Sequence, residues 1–259
     1  MSRGTLVQVI FIALLATGAS TTISQAQRRL DDPLRFVNWL RNDVRQSPRA
    51  LAHVSPFRLF AGAGLIAATS YYDETGSESL MKWHKRELMR VLEELGDSNA
   101  TRPAALLIFA GSLLQDNHRV QDAAFTSLEA LVFANMLTNA LKAITGRSRP
   151  GDSEGANQWE AFKGGTSFPS GHATTAFAAV TPWLFYFPHP VTFLLAGVAT
   201  GTSLSRVSLG HHWPSDVLAG AFIGYSVSAW LVRQHTDNDS LSSVETFIGP
   251  GTVGLRLTW

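Results

Sequence analysis

Apolar positions recur at helical spacing along most of this chain. Phe36, Val37, Leu40 and Val44 fall three or four residues apart within 32–44, and Met81, Trp83, Leu88, Val91, Leu92 and Leu95 repeat the pattern against a charged face within 80–95. Both segments predict amphipathic covering helices. Between them, residues 59–68 are apolar and glycine-containing and are followed by Tyr71 and Tyr72, which predicts a short buried helix. Stronger helical patterns follow at 104–114, 123–144, 173–187, 191–204 and 215–232. The expected fold is all-α, a helical bundle over residues 103–235 with covering helices over 27–102.

The breaks in the pattern divide the chain further. Residues 147–170 are rich in Gly, Ser, Asp and Pro and have no periodicity, so they read as a long loop between two helices, a place where function often sits. The polar run 235–239 ends the bundle. In the tail, 236–259, Gly249-Pro250-Gly251 precedes an alternation of Val253, Leu255, Leu257 and Trp259, which predicts a short C-terminal β-hairpin. An outer-membrane closing strand is a weaker reading, because no series of roughly ten-residue alternating strands precedes it. At the other end, Arg3, the apolar run 6–16 and Ser24-Gln25-Ala26 have the layout of a signal peptide spanning 1–26. The alternative is an uncleaved anchor, and either way the remainder is expected outside the cytoplasm, periplasmic or associated with the cell-envelope membrane. The apolar runs of the bundle, about 11 to 16 residues long, fall short of the roughly 20 that a spanning helix needs. That favours a periplasmic globule over a bundle that crosses the membrane, with a membrane surface as an optional partner.

Composition narrows the function classes. Lys and Arg number 21 against 20 Asp and Glu, so no sustained basic face exists for a nucleic-acid partner. Cysteine is absent, which removes disulfides, thiolate metal sites and cysteine nucleophiles. The oligomeric state has no signature.

Three separated segments place chemically active groups at predicted helix ends. Lys142, Arg147 and Arg149 lie where a helix finishes; alone, they would be cations offsetting a helix dipole. In Ser167-Phe168-Pro169-Ser170-Gly171-His172-Ala173, proline, serine and glycine at a helix start leave backbone N–H groups facing outward, an arrangement that cradles phosphate oxygens. In Arg206 to Asp216, Pro214 fits the first helical position, so His212 lies just outside the helix and Asp216 in its opening turn. Such a carboxylate reaches back to the imidazole, fixes its tautomer and leaves the other nitrogen as a nucleophile.

Together the order and spacing, Lys-x6-Arg-Pro, then Pro-Ser-Gly-His, then Ser-Arg-x5-His-x3-Asp, resemble the tripartite signature of the type 2 phosphatidic acid phosphatase and vanadium haloperoxidase superfamily. The match is complete from Lys142 to Asp216. The resemblance implies a metal-independent phosphatase acting through a phosphohistidine, on a phosphorylated small molecule or a lipid or isoprenoid phosphate. Position by position it implies His212 as nucleophile, His172 as general acid, Asp216 as the residue orienting His212, and Lys142, Arg149, Arg206, Ser170 and Gly171 as the phosphate cradle. No cofactor or metal ligand is implied; vanadate enters as an inhibitor that mimics five-coordinate phosphorus.

Some choices stay open at this level. His211 neighbours His212, and the spacing to Arg206 and Asp216 selects the second. Arg147 exceeds the pattern and reads as a solvated loop arginine or a residue that steers anions. Trp159 and Phe162 are loop anchors or acyl-chain contacts. A vanadate-dependent haloperoxidase is an alternative that the short chain disfavours, and a non-catalytic phosphate-binding protein of the envelope is a second.

Overall fold

Two kinds of residue determine how this chain packs: small ones that let helix backbones touch, and buried hydroxyls that tie the backbones together. The computed structural model describes residues 34–52, 56–82, 86–95, 97–152, 155–236, 243–249 and 252–258. The signal-peptide and cleavage-site expectation lies outside them. The described helices are α1 (Arg35–Ala52), α2 (Pro56–Ser70), α3 (Asp73–Met81), α4 (Arg86–Leu95), α5 (Ser98–Ser112), α6 (His118–Thr145), α7 (Gly171–Tyr186), α8 (Pro190–Ser208) and α9 (Pro214–His235). In the tail, β1 (Ser243–Gly249) pairs antiparallel with β2 (Thr252–Thr258), Ser243 opposite Thr258.

Helix α7 is central and packs on α6, α8 and α9. Its contacts fix the direction of each neighbour. Thr138 on α6 meets Thr174 at 2.9 Å, Asn135 accepts from Thr175 at 3.1 Å, and Ser127 donates to the Ala179 carbonyl, so α6 runs antiparallel to α7. On the other side, Gly220 lies against Ser170, Gly224 against Thr174, and Ser228 donates to the Ala178 carbonyl at 3.2 Å. These pairs advance together in steps of four residues, so α9 runs parallel to α7 and the two helices begin at the same end. The short turns after Tyr186 and after Ser208 bring α8 down between them, antiparallel to both.

The α7–α9 contact is too close for ordinary side chains. A Cβ on Gly220 would sit 2.3 Å from the Ser170 carbonyl oxygen, and one on Gly224 2.5 Å from that of Thr174. Gly220→Ala is therefore expected to force the helices apart at a destabilisation of about 1–3 kcal/mol. That is a fall in Tm of about 2–12 °C by calorimetry. Gly197→Ala, on an exposed stretch of α8 with open space around it, is the control and should leave Tm unchanged or slightly raised.

The structure departs from these expectations in four places. Helix α2 is longer than the 59–68 segment and is not buried: Phe60 and Leu65 are exposed, and Gly62 is its buried position among the described residues, set against Phe222. Residues 80–95 are not one helix: α3 ends at Met81 and α4 starts at Arg86. Helix α5 begins before 104, because the Asp97 side chain caps the Asn99 N–H at 2.9 Å and the helix runs through Pro103. Helix α1 forms, but its stripe of Val37, Leu40 and Val44 is exposed. Its inward side carries Phe36 and Trp39, packed on Phe109, Phe125 and His235, together with buried Arg35 and Asp43. Polar residues with partners inside the protein displaced the aliphatic stripe outward. One helix among the described residues, α9, is long and apolar enough to cross a membrane, and half of its apolar window is buried in the bundle.

Candidate active site

Because α6 and α8 end where α7 and α9 begin, the three sequence segments meet at one end of the bundle. Helix α6 stops at Gly146, whose φ of 59° and N–H bond to the Lys142 carbonyl form a left-handed cap. The chain then folds back on itself: Glu160 N–H donates to the Gly146 carbonyl and Ser167 N–H to the Arg147 carbonyl, each at 3.0 Å. This returns the long loop to the head of α7. There Ser170 is the N-cap residue, its N–H donates to the Asp216 carbonyl at 2.9 Å, and its hydroxyl is buried without a hydrogen-bond partner among the described residues. Lys142 lies over this helix start: a Cβ on Gly171 would be 3.9 Å from Lys142 Cε. A lysine and an orphan hydroxyl beside free helix N–H groups form an anion cradle.

His212 sits in the α8–α9 turn, where His211 and His212 N–H groups both donate to the Arg206 carbonyl, at 3.0 and 3.2 Å. Asp216 turns back out of the first turn of α9 and accepts from the Trp213 N–H at 2.9 Å. Its Oδ2 lies 3.6 Å from His212 Nδ1, so Nε2 is on the far side of the ring. That separation exceeds a hydrogen bond, but the carboxylate is the charge facing this nitrogen. His212 is 2% exposed, and burial pushes its pKa down to about 4; Lys142 and Arg206 add to the fall and Asp216 opposes it.

His172, in the first turn of α7, is partly buried. Burial lowers its pKa, Asp97 raises it, and Arg149 and Lys142 lower it further. Lys142 thus acts on both imidazoles. Burial lowers Lys142 itself to about 8, with Arg149 adding and Asp216 opposing, and burial lowers Arg206 to about 10. Arg206 also meets a partner that no motif signals, the carboxylate of Glu93 on α4, which lies 3.5 Å from His211 Nε2 as well. His211 is the more exposed histidine of the pair. All eight residues singled out from the motifs, Lys142, Arg149, Ser170, Gly171, His172, Arg206, His212 and Asp216, therefore belong to one end of the bundle.

Arg147 is neither solvated nor free to steer anions. It is 1% exposed and makes the central electrostatic contact beneath the site. Nη1 donates to Asp216 Oδ1 at 2.6 Å and to Ser215 Oγ at 2.8 Å, Nη2 to Asp73 Oδ2 at 2.7 Å, and both Nε and Nη2 to the Ala156 carbonyl. Its guanidinium faces the rings of Trp159 and Trp213, which makes Trp159 a loop anchor, while Phe162 is exposed. Asp73 in turn accepts from the Ser215 N–H and hydroxyl, and Ser167 donates to Asp216 Oδ2 at 2.5 Å. Burial would raise the pKa of Asp216, but His212, Arg147 and Ser167 outweigh it and hold the carboxyl below its ordinary value. Asp73 and Ser167 have no recognisable spacing in the sequence, although Ser167 directly precedes the Phe-Pro-Ser-Gly-His run.

Residues 123–240, which hold most of α6, all of α7 to α9 and all three motif segments, match the family model of the PAP2 superfamily. This segment of the chain is a PAP2-superfamily domain. Among curated relatives, the lipid A 1-phosphatase of Rhizobium etli is 33% identical over 156 residues, covering 54% of this chain and 66% of that protein. The lipid A 1-phosphatase of Rhizobium johnstonii is 38% identical over 107 residues, 39% of this chain and 41% of that protein. The chain thus spans less than two thirds of the length of these PAP2 relatives. A solved structure, the transmembrane PAP2-type phosphatidylglycerolphosphate phosphatase of Bacillus subtilis, has the same fold, with a TM-score of 0.52 at 21% identity over 76% of this chain and 94% of that one.

Proposed function

We propose that this PAP2-domain protein is a metal-independent phosphatase that hydrolyses the phosphate monoester of a lipid. The carrying observation is that His212, backed by the buried Asp216 carboxylate, lies at the same end of the bundle as the head of α7, where His172 stands in the first turn beside Lys142 and the Ser170 hydroxyl, which has no partner among the described residues. In the first step His212 Nε2 attacks phosphorus, the bond to the ester oxygen breaks, and His172 gives its proton to the departing alkoxide. In the second, His172 takes a proton from water, the resulting oxygen nucleophile displaces His212, and phosphate leaves. Lys142, Arg149 and Arg206, with Ser170 Oγ and the Gly171 N–H, stabilise the equatorial oxygens, where charge accumulates. These cations do the neutralising work that a divalent ion does elsewhere. Vanadate should bind as an inhibitor.

An apolar substrate is supported by a cavity of about 230 Å³ between α4, α5, α7 and α8, lined by Val91, Ala104, Ile108, Val180, Trp183 and Val198 among others. Its rim includes Asp97, the carboxylate that acts on His172, so the cavity opens near the reacting end. It is smaller than a drug-sized pocket and suits a segment of an acyl chain. The names of the relatives point the same way. Membrane association is supported by the outward stripe of Val37, Leu40 and Val44 on α1 with Arg41 and Arg45 beside it, and by exposed Leu106, Leu107, Met136 and Phe193 on the bundle.

Phosphate release from p-nitrophenyl phosphate and from short- and long-chain lipid phosphates, in excess chelator, tests this reading. Turnover in chelator with preference for the longer chain is the expected result. Activity restored only by added divalent metal, or bromide oxidation without phosphate release, would overturn it. The roles also set the pH profile. The nucleophile must be neutral and the acid protonated, so kcat/KM should rise through about pH 4 with His212 and fall with His172 below the ordinary histidine value of 6.5. A maximum between those limits is expected; a kcat/KM still rising above pH 7 would mean the roles are misassigned.

A further inference from the structure

At the opposite end of α9 from His212, about 33 Å away along a 22-residue helix, three buried ligating side chains converge. Asp43 comes from α1, Glu129 from α6, and His235 is the last residue of α9. Their ligating atoms all lie within 4.8 Å of one another. His235 Nε2 is 2.7 Å from Asp43 Oδ2 and 3.4 Å from Glu129 Oε2. The side chains of all three are at most 2% exposed. No spacing in the sequence announces the set, because its members are separated by 86 and 106 positions (129 − 43 and 235 − 129).

The protons around this cluster can be counted. Thr126 has one hydroxyl proton, and it donates to the Asp122 carbonyl at 2.7 Å. At 2.8 Å from His235 Nδ1 the same oxygen must therefore accept, so Nδ1 carries a hydrogen. A neutral ring then turns the lone pair of Nε2 toward two carboxylates. Glu129 is the decisive group: both its oxygens are buried and neither has a hydrogen-bond partner among the described residues. If Nε2 were protonated, it would satisfy Asp43 at 2.7 Å and still leave Glu129 without a donor. Buried carboxylate oxygens without partners are expensive: burial and then Asp43 push the Glu129 pKa up to about 8, so without a cation this acid takes up a proton, and a compact positive charge is what would keep both acids ionised.

We propose that Asp43, Glu129 and His235 bind one divalent transition-metal cation of the zinc class, which clasps α1 to the end of the bundle. The donor set is one imidazole and two carboxylates, and the imidazole favours zinc-class ions over magnesium or calcium. In a tetrahedral zinc site, bonds of about 2.0–2.2 Å place ligand atoms about 3.3 Å apart. The two separations at Nε2 bracket that value, so small side-chain movements bring three ligands into place and leave the fourth position to a water. Thr126 supplies the outer-shell acceptor that orients a ligating histidine, and Trp39 stacks on the ring at 4.2 Å between centroids and shields it from water. The site joins three helices and is remote from the phosphate cradle, so it is a structural clasp and independent of the phosphatase reading.

The test uses the full chain, stripped with chelator, dialysed and titrated with zinc by calorimetry, with Tm followed in parallel. One equivalent should bind, and zinc at a hundredfold excess over Kd should raise Tm by about 5–10 °C. Magnesium should not. Glu129→Gln keeps the shape and removes a ligand charge; it should fold at least as well as the stripped parent and lose the zinc shift. Cobalt(II) in the unmodified protein should give the visible absorption of a low-coordinate site, a readout that needs no variant. Absence of stoichiometric zinc binding, an equal shift with magnesium, or undiminished binding by Glu129→Gln would each overturn the proposal. Phosphate release by the stripped protein, measured well below its Tm, reports separately on the catalytic end.

Discussion

His212→Ala is expected to reduce turnover of phosphate esters by at least about 10⁴-fold while the protein keeps its fold and still binds phosphate or vanadate. The reaction as proposed runs through a bond to His212 Nε2, and no other imidazole faces a buried carboxylate at this end of the bundle among the described residues. The cradle of Lys142, Ser170 and the head of α7 does not involve the ring, which is why binding should survive. His172→Ala separates the two steps. With p-nitrophenyl phosphate the leaving group departs without much help, so the first step proceeds, but no base activates the water of the second. Rapid quench at alkaline pH should then trap phosphoenzyme that is absent from His212→Ala. With an alkyl phosphate, whose leaving oxygen needs the proton, His172→Ala should lose about 10²–10⁴-fold in the first step itself. If His212→Ala keeps near-normal turnover, or if both variants accumulate phosphoenzyme, the assignment of nucleophile and acid is wrong.

The groups assigned to the proposed chemistry are more legible in the sequence than the groups that hold them in place. Lys142, Ser170, His172, Arg206, His212 and Asp216 stand at helix ends with fixed local offsets, and the order of residues along the chain is enough to pick them out. The bundle helices α6 to α9 are legible for a related reason: each is a long run of apolar and small residues bounded by Gly, Pro or Asn. Arg147 illustrates what is lost. Its neighbours in the chain are those of a polar loop, and its burial comes from Asp73, 74 residues away, and from Trp213, both brought in by tertiary packing. Helix α1 fails in the opposite sense. Its aliphatic positions follow the helical period, yet Arg35 binds Gln121 and Asp122, and Asp43 meets His235, so the polar residues took the inward face. Periodicity reports that a helix has two faces; it does not say which one is covered when the buried face is stitched by charge. The Gly220 and Gly224 contacts are equally silent, because a glycine in a helix pattern looks like a weakness until the backbone it admits is known.

Arg147→Met should be among the most destabilising single changes in the protein. One guanidinium neutralises two carboxylates, Asp73 and Asp216, that have no exposed surface, and it also bonds Ser215 and the Ala156 carbonyl. Removing one partner of a buried ion pair typically costs about 3–5 kcal/mol, because the remaining charge has lost both water and counter-ion. Here two carboxylates would be left, so the loss should reach at least that range. At about 2–4 °C per kcal/mol, Tm should fall by roughly 6–20 °C. The effect on catalysis should be distinct from the effect on folding. Without Arg147, Asp216 is held by Ser167 and the Trp213 N–H alone, and its carboxyl is less strongly kept ionised, so the acid limb of the kcat/KM profile should move as well as kcat fall. Arg147→Lys keeps the charge but has no fork to reach both acids, and should recover part of the Tm and little of the kcat. Asp73→Asn, which removes the acid of the pair that does not orient His212, should soften the stability loss when combined with Arg147→Met and leave the catalytic defect in place. The readouts are Tm by calorimetry and kcat and KM on an alkyl phosphate across pH. An Arg147→Met protein with parental Tm and an unshifted profile would return that arginine to the solvated loop its sequence resembles, and would leave the orientation of His212 without its support.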